Sequence, residues 1–356
     1  MRHDWLIVQA IRSAVGAALK SPPFLLAALA VCISVNFQIL LPVVPVMVER
    51  AGPHGTAGAA TAALFLGAVT GELSTPWLMS RQRSTHLLVA GQLLTAVPSL
   101  LYIVPHPAIL AMIATASVRG LGMGVAIVVS VALLSELTAP QRRGTSIGYY
   151  GLALSAPGII VPSIGVFLFA NGRADVDALV AFASGLVGVL FALKIPARPM
   201  HVVRASTNLL GAIRRPGLLI VFAGFVLTSC SFGGVVTYAP VALPLNGLGS
   251  AAAFLLVSGA ARAASRWFAG VLSDRLPVRG VLVGGVLASL AGLAVLALHA
   301  GEATVLVAAA AYGAGYGTTQ TAAFLALSDR GIRSDAGAIS ALWNSGIDSD
   351  LPLEER

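Results

Sequence analysis

Hydrophobic positions along this chain come in long runs, not in the alternating or 3.6-residue periodicity of half-buried elements. Runs near 24–48, 58–79, 87–104, 108–135, 146–170, 176–195, 217–243, 251–272, 280–299 and 304–327 approach the ~20 apolar residues that a membrane-crossing helix needs. Short polar loops separate them. The pattern predicts an all-α, multi-pass membrane protein with ten spans. Of the 356 residues, 57% are hydrophobic and only 10% charged, which excludes an ordinary soluble domain. Arg12 and Lys20 precede the first run and no small-residue cleavage site follows a short apolar core, so no cleavable leader is expected. The segment from Trp5 to Leu19 reads either as an amphipathic helix lying on the membrane or as a cytosolic tail.

The basic residues sit in every second loop. One side carries Arg2, Arg12, Lys20, Arg81, Arg83, Arg142, Arg143, Lys194, Arg198, Arg204, Arg214, Arg215, Arg275, Arg279, Arg330 and Arg333. The other carries Arg50 and Arg173, beside Glu49, Asp175, Asp177 and Glu302. By the positive-inside rule this bias places the N-terminus in the cytoplasm of a cell (inner) membrane protein. The net charge of +8 is then a matter of topology and anionic headgroups, and no nucleic-acid partner is expected. Cys32 and Cys230 both lie within apolar runs, and no two of the six histidines have metal-ligand spacing. Neither a metal nor a cofactor is expected.

The chain also matches itself. Ser34, Phe37 and Pro45 align with Ser229, Phe232 and Pro240; Arg81 aligns with Arg275; Gly120, Gly122 and Gly124 align with Gly313, Gly315 and Gly317. The offset stays between 193 and 195 throughout. The implied organisation is a cytosolic segment (1–23), a six-helix bundle (24–195), a basic central loop (196–216), a second bundle (217–346) and a polar tail (347–356). Parallel six-helix repeats of this kind belong to alternating-access transporters. The second bundle is expected to be incomplete, with about four to five spans. An eleventh run opens at Gly337 but meets Asp348, Asp350, Glu354, Glu355 and Arg356, charges too costly for a lipid-facing helix. A frameshift or premature stop within the eleventh span is the favoured reading, with a natural ten-span form, or one completed by an oligomeric partner, as the alternatives.

Charged residues inside spans are functional candidates by default. Glu72 lies ~21 Å and Arg119 ~16 Å into parallel spans by helical rise. They are expected either to form a protonation-sensitive pair for proton coupling or a permanent structural one. Arg262 and Arg266 lie one turn apart on span eight; either Arg262, near mid-membrane, attracts an anionic substrate, or both brace the helix end beside Asp274. The runs of Gly at 120–124 and 313–317 are close-packing surfaces first. Pro42, Pro45 and Pro240 predict bends. Gly144-Thr-Ser146-Ile-Gly148 fits a hydrolase nucleophile motif, but it opens a membrane helix where that motif needs a strand-to-helix turn. No enzyme is indicated.

Gly270-Val-Leu-Ser-Asp274-Arg275-Leu-Pro-Val-Arg279 matches G-x-L-x-D-R-x-x-x-R, the loop motif of the major facilitator superfamily, and Arg119-Gly-Leu-Gly-Met-Gly resembles its span-four motif. The first-half loop is degraded, with Pro76 and Ser80 in place of Gly and Asp. A partial antiporter motif (Gly148, Pro162 and Gly165, but Pro157 and Val161 in place of glycines) resembles the bacterial proton-coupled drug-efflux branch. The resemblance implies that Gly270, Asp274, Arg275 and Arg279 form a conformational latch. It also implies that spans one, four, seven and ten line the cavity. That makes Asn36, Gln38, Ser231, Thr237, Tyr312, Thr318 and Gln320 cavity candidates. The first functional expectation is secondary transport of a small molecule by alternating access as proton-coupled efflux. The second is uptake or exchange of an organic anion on Arg119 and Arg262. The third, from another class, is a non-transporting remnant or membrane interaction subunit. The sequence sets no oligomeric state.

Overall fold

The computed structural model describes residues 21–138, 143–195, 216–244, 247, 249–273, 275–298 and 301–330. The segment 5–19, nearly all of the central loop, Asp274, the onset of the eleventh span and the polar tail lie outside the described residues. Within them the chain is helical throughout. The first half comprises α1 (Pro22–Leu40), α2 (Val43–Ala51), α3 (Ala57–Met79), α4 (Ser84–Ala96), α5 (Ile109–Leu137), α6 (Arg143–Ser155), α7 (Val161–Ala170) and α8 (Ala174–Lys194). The second comprises α9 (Pro216–Ala242), α10 (Ala251–Ser273), α11 (Val278–Ala297) and α12 (Glu302–Arg330). All ten apolar runs are helical. Seven of the helical units, by length and composition, are able to cross a membrane. α9, α10 and α12 stand outside this set; of α9 the stretch Val226–Ala242 counts as a shorter apolar helix, and α10 and α12 carry Arg262, Arg266 and Gln320 within their apolar runs. Such groups are tolerated in spans that turn them inward.

Proline shapes two of the spans. The first breaks between Leu40 and Val43, at Pro42, as its position predicts. The fifth breaks into α6 and α7 through a single 3₁₀ turn, Ala156–Ile159, with Pro157 inside it and Pro162 just beyond. The bend expected at Pro240 produces no interruption, since α9 runs through it to Ala242. Glu49 closes the first loop by accepting hydrogen bonds from the backbone N–H groups of Gly55 (2.7 Å) and Ala57 (2.8 Å), which sets a carboxylate at the start of α3.

The repeat in the sequence is a repeat in packing. A Cβ at Gly120 or Gly124 would strike the carbonyls of Leu64 or Ala68 on α3, and one at Gly313 or Gly317 would strike those of Ser258 or Arg262 on α10. The intervening Gly122 faces Gly91 on α4, and Gly315 faces Gly285 on α11. Without side chains in the way, the fourth span of each half, α5 and α12, seats backbone to backbone against two neighbours.

The halves meet asymmetrically. At the membrane end away from α1's N-terminus, one apolar cluster spans both halves: Leu41, Leu64, Ala116 and Val166 pack with Val236, Ala239, Leu243, Phe254 and Leu255. Thr61 and Thr237 hydrogen-bond across this seam at 2.7 Å. Toward the other end the cores are separate. Leu26, Leu88, Leu133 and their neighbours pack within the first half, and Ala269, Val281 and Ala322 within the second.

Candidate functional site

Between the halves, at mid-depth, lies a cavity of about 190 Å³, room for on the order of a dozen waters or a solute of similar heavy-atom count. Its walls are built from matching positions of the repeat. Ser34 and Phe37 of α1 correspond to Ser229 and Phe232 of α9, and Met123 and Ile127 of α5 to Tyr316 and Gln320 of α12. The symmetry is of position and not of chemistry. The first half contributes mainly Ile33, Phe37, Phe65, Met123, Ile127 and Leu154, with Gln38 and two serines as its polar groups. The second contributes Arg262, Arg266, Tyr316 and Gln320. Among the described lining residues no Asp or Glu is present.

Both arginines are held in place. Arg266 donates through Nε (3.1 Å) and Nη2 (2.5 Å) to Gln320 Oε1, and Gln320 Nε2 in turn donates to the Tyr316 hydroxyl at 3.0 Å. Arg266 thus lines the cavity while tying α10 to α12; whether it also stands beside Asp274 lies outside the described residues. Arg262 lies 4.8 Å from the Phe232 ring centroid and donates through Nη2 to the Gly158 carbonyl of the first half at 3.0 Å. Phe232, Tyr316 and Tyr312 form a run of near-parallel rings, with centroids 4.8 Å and then 6.3 Å apart.

The other expected site residues distribute themselves differently. Gln38 and Gln320 line the cavity, as does Arg262. Tyr312 is buried against a smaller neighbouring pocket, with its hydroxyl 3.3 Å from Ser231. Thr237 belongs to the seam, and Thr318 is half-buried on α12 without lining the cavity. Asn36 is not a cavity group. It is buried, donates to the Ala181 carbonyl at 2.6 Å, and accepts at Oδ1 from Arg119 (3.1 Å).

Arg119 is 3% exposed and satisfied by neutral acceptors, namely the Asn36 carbonyl (2.8 Å), Asn36 Oδ1 and the Thr95 carbonyl (3.3 Å). The expected Glu72–Arg119 pair is therefore not formed. Glu72 lies one turn and more further along, its backbone against Gly124, while Arg119's side chain turns toward α1 and α4. Of the latch residues, Arg275 and Arg279 are exposed and a Cβ at Gly270 would meet open space; Asp274 lies outside the described residues.

Two features escaped the sequence. Ser34, Phe37, Ser229 and Phe232 are markers of the repeat in the sequence, yet all four line the cavity. Asp177, placed with the loop acids, is fully buried near the start of α8, and neither carboxylate oxygen has a hydrogen-bond partner among the described residues.

The family profile described as Major Facilitator Superfamily matches residues 26–349. No curated relative matches the chain. Solved structures share the fold at low identity. The nucleoside transporter NupG (D323A mutant) is 10% identical with a TM-score of 0.71, covering 92% of this chain and 88% of its own. A bacterial homologue of the human lysosomal transporter Spinster, inward-facing and unoccupied, is 14% identical with a TM-score of 0.66 and coverages of 92% and 80%. The D-xylose-proton symporter is 14% identical with a TM-score of 0.65 and coverages of 92% and 86%. Two glycine-seated bundles, a cavity between them and this match over nearly the whole chain lead to one assignment: the protein belongs to the major facilitator superfamily, a family of membrane transporters.

Proposed function

We propose that this protein moves a small organic anion across the cell membrane by alternating access, with its N-terminus in the cytoplasm. The observation that carries the reading is the cavity's charge. Two guanidiniums, which stay protonated at any physiological pH, line a mid-membrane space whose described walls hold no carboxylate. Burying such charges without counter-ions is expensive, and an anionic solute supplies the missing charge. The aromatic and aliphatic wall of the first half suits an apolar tail. With the basic loops cytoplasmic, the sealed seam lies at the outer face and the cavity is reached from inside. Proton-coupled efflux has less support, because Glu72 lies outside the cavity lining and Arg119 is held by Asn36 and Thr95.

The test is uptake by the purified protein in liposomes. Radiolabelled benzoate is expected to be carried and tetraphenylphosphonium not. Arg266→Gln should reduce benzoate flux at least tenfold. Preferential transport of the cation overturns the proposal.

A further inference from the structure

The fifth span contains a carbonyl whose α-helical donor is missing. In an α-helix the Gly158 carbonyl would accept from the residue four positions on, and that residue is Pro162, which has no N–H. Its donor comes instead from the opposite half, as the 3.0 Å bond from Arg262 Nη2. Residue 158 must be small for this to happen. A Cβ there would lie 2.9 Å from Gln38 Nε2 and 3.1 Å from Arg262 Nη2. Gly259, one turn before Arg262, likewise lets α10 approach the 3₁₀ turn, since a Cβ at 259 would lie 2.8 Å from the Ile159 carbonyl. Arg262 therefore stands between two spaces. One is the main cavity, and the other is a pocket of about 20 Å³ between Gly158, Pro162, Leu255 and Gly259 on the seam side.

Its neighbour is differently placed. Arg266 is anchored within its own half by Gln320, so an anion meeting it disturbs no contact between the halves. Among the described residues, Arg262 is the one of the two whose hydrogen bond crosses from one half to the other. A neutral carbonyl competes poorly with a carboxylate or sulfonate for a guanidinium, because charge-assisted bonds are about twice as strong.

We infer that Arg262 couples solute binding to opening of the seam: an anion held by Arg266 draws Arg262 off the Gly158 carbonyl and releases the outer contact between the halves. The inference rests on the anion reading above. The empty carrier stays latched and the loaded one is freed, so transport takes the form of exchange. A ligand that binds the freed state more tightly shifts the equilibrium toward it by that difference in affinity.

The test follows binding and opening separately in the whole protein, reconstituted in nanodiscs. Spin labels on p-acetylphenylalanine introduced at positions 54 and 303, both exposed at the outer end, leave Cys32 and Cys230 untouched. Tritiated 2-naphthoate serves as the binding probe. In the otherwise unchanged protein, saturating 2-naphthoate should lengthen the 54–303 distance. In Arg262→Gln the distance should already be long without the probe and no longer respond to it, while binding through Arg266 weakens but persists. Gly158→Ala attacks the contact from the other side with both cations retained. It should lengthen the distance without the probe and tighten 2-naphthoate binding, because the freed state no longer has to be reached at the ligand's expense.

Binding with an unchanged distance response in both variants overturns the coupling and leaves the anion reading intact. No binding to the unaltered protein overturns both.

Discussion

At the residue scale, the buried polar groups of the first half show what an unaided sequence conceals. Arg119 was legible as a costly intramembrane charge, but its partners are not carboxylates and sit 24 and 83 residues away in the chain. Helical depth places a residue along a span and says nothing of which way its side chain turns. Asn36→Ala removes the Oδ1 acceptor of a buried cation and a 2.6 Å bond to α8. It should cost about 2–3 kcal/mol, because a bond to a charged group is lost and a buried donor is left unmatched. Thermal unfolding in detergent would register this as a lower midpoint, with 2-naphthoate affinity unchanged in the fraction that remains folded. Asp177 behaves oppositely. With no donor among the described residues to support a charge, Asp177→Asn removes an ionisable group that gains nothing from its site. Its unfolding midpoint should rise, and a fall would mean that the carboxylate has a stabilising role after all.

At the scale of helices, most of the architecture was readable. Ten apolar runs became ten helical stretches, and the 193–195 offset reappeared as equivalent glycine contacts on α5 and α12. Glycine spacing is a local property, so it survives translation from sequence to structure. What proline does depends on the helix around it. Pro42 and Pro157 sit at breaks whereas Pro240 does not, a difference no single residue type encodes. The glycine contacts give a paired prediction. Gly120→Ala drives a methyl into the Leu64 carbonyl and should destabilise by about 1–3 kcal/mol, as overpacking does. Gly284→Ala on α11 faces open space and should be neutral or gain up to ~1 kcal/mol from helix propensity. Equal losses in the two variants, measured by denaturation in the same detergent, would contradict the backbone-to-backbone seating.

At the scale of the whole molecule, the two halves are joined firmly at one end only. Phe254, fully buried in the seam, would meet water if that end opened, so Phe254→Ala should favour the open state and raise labelling of seam positions by a water-soluble reagent. The Thr61 and Thr237 hydroxyls, 2.7 Å apart, mark where a cross-link would arrest the cycle. Thr61→Cys with Thr237→Cys, once oxidised, should abolish liposome uptake, and reduction should restore it. Persistent uptake after full oxidation would show that the seam need not part. The cavity between these halves was only partly visible from the sequence, because its composition depends on which repeat positions turn inward. Its division of labour nevertheless has an evolutionary reading. On the anion reading proposed above, charge recognition falls to Arg262 and Arg266 of α10 with Gln320 and Tyr316 of α12 beside them, and the apolar wall comes chiefly from α1, α3, α5 and α6. Drift at Met123, Ile127 or Leu154 can therefore retune the tail a lineage accepts without touching the head-group anchor. Diversification of solutes within one charge class then needs changes in one gene half alone.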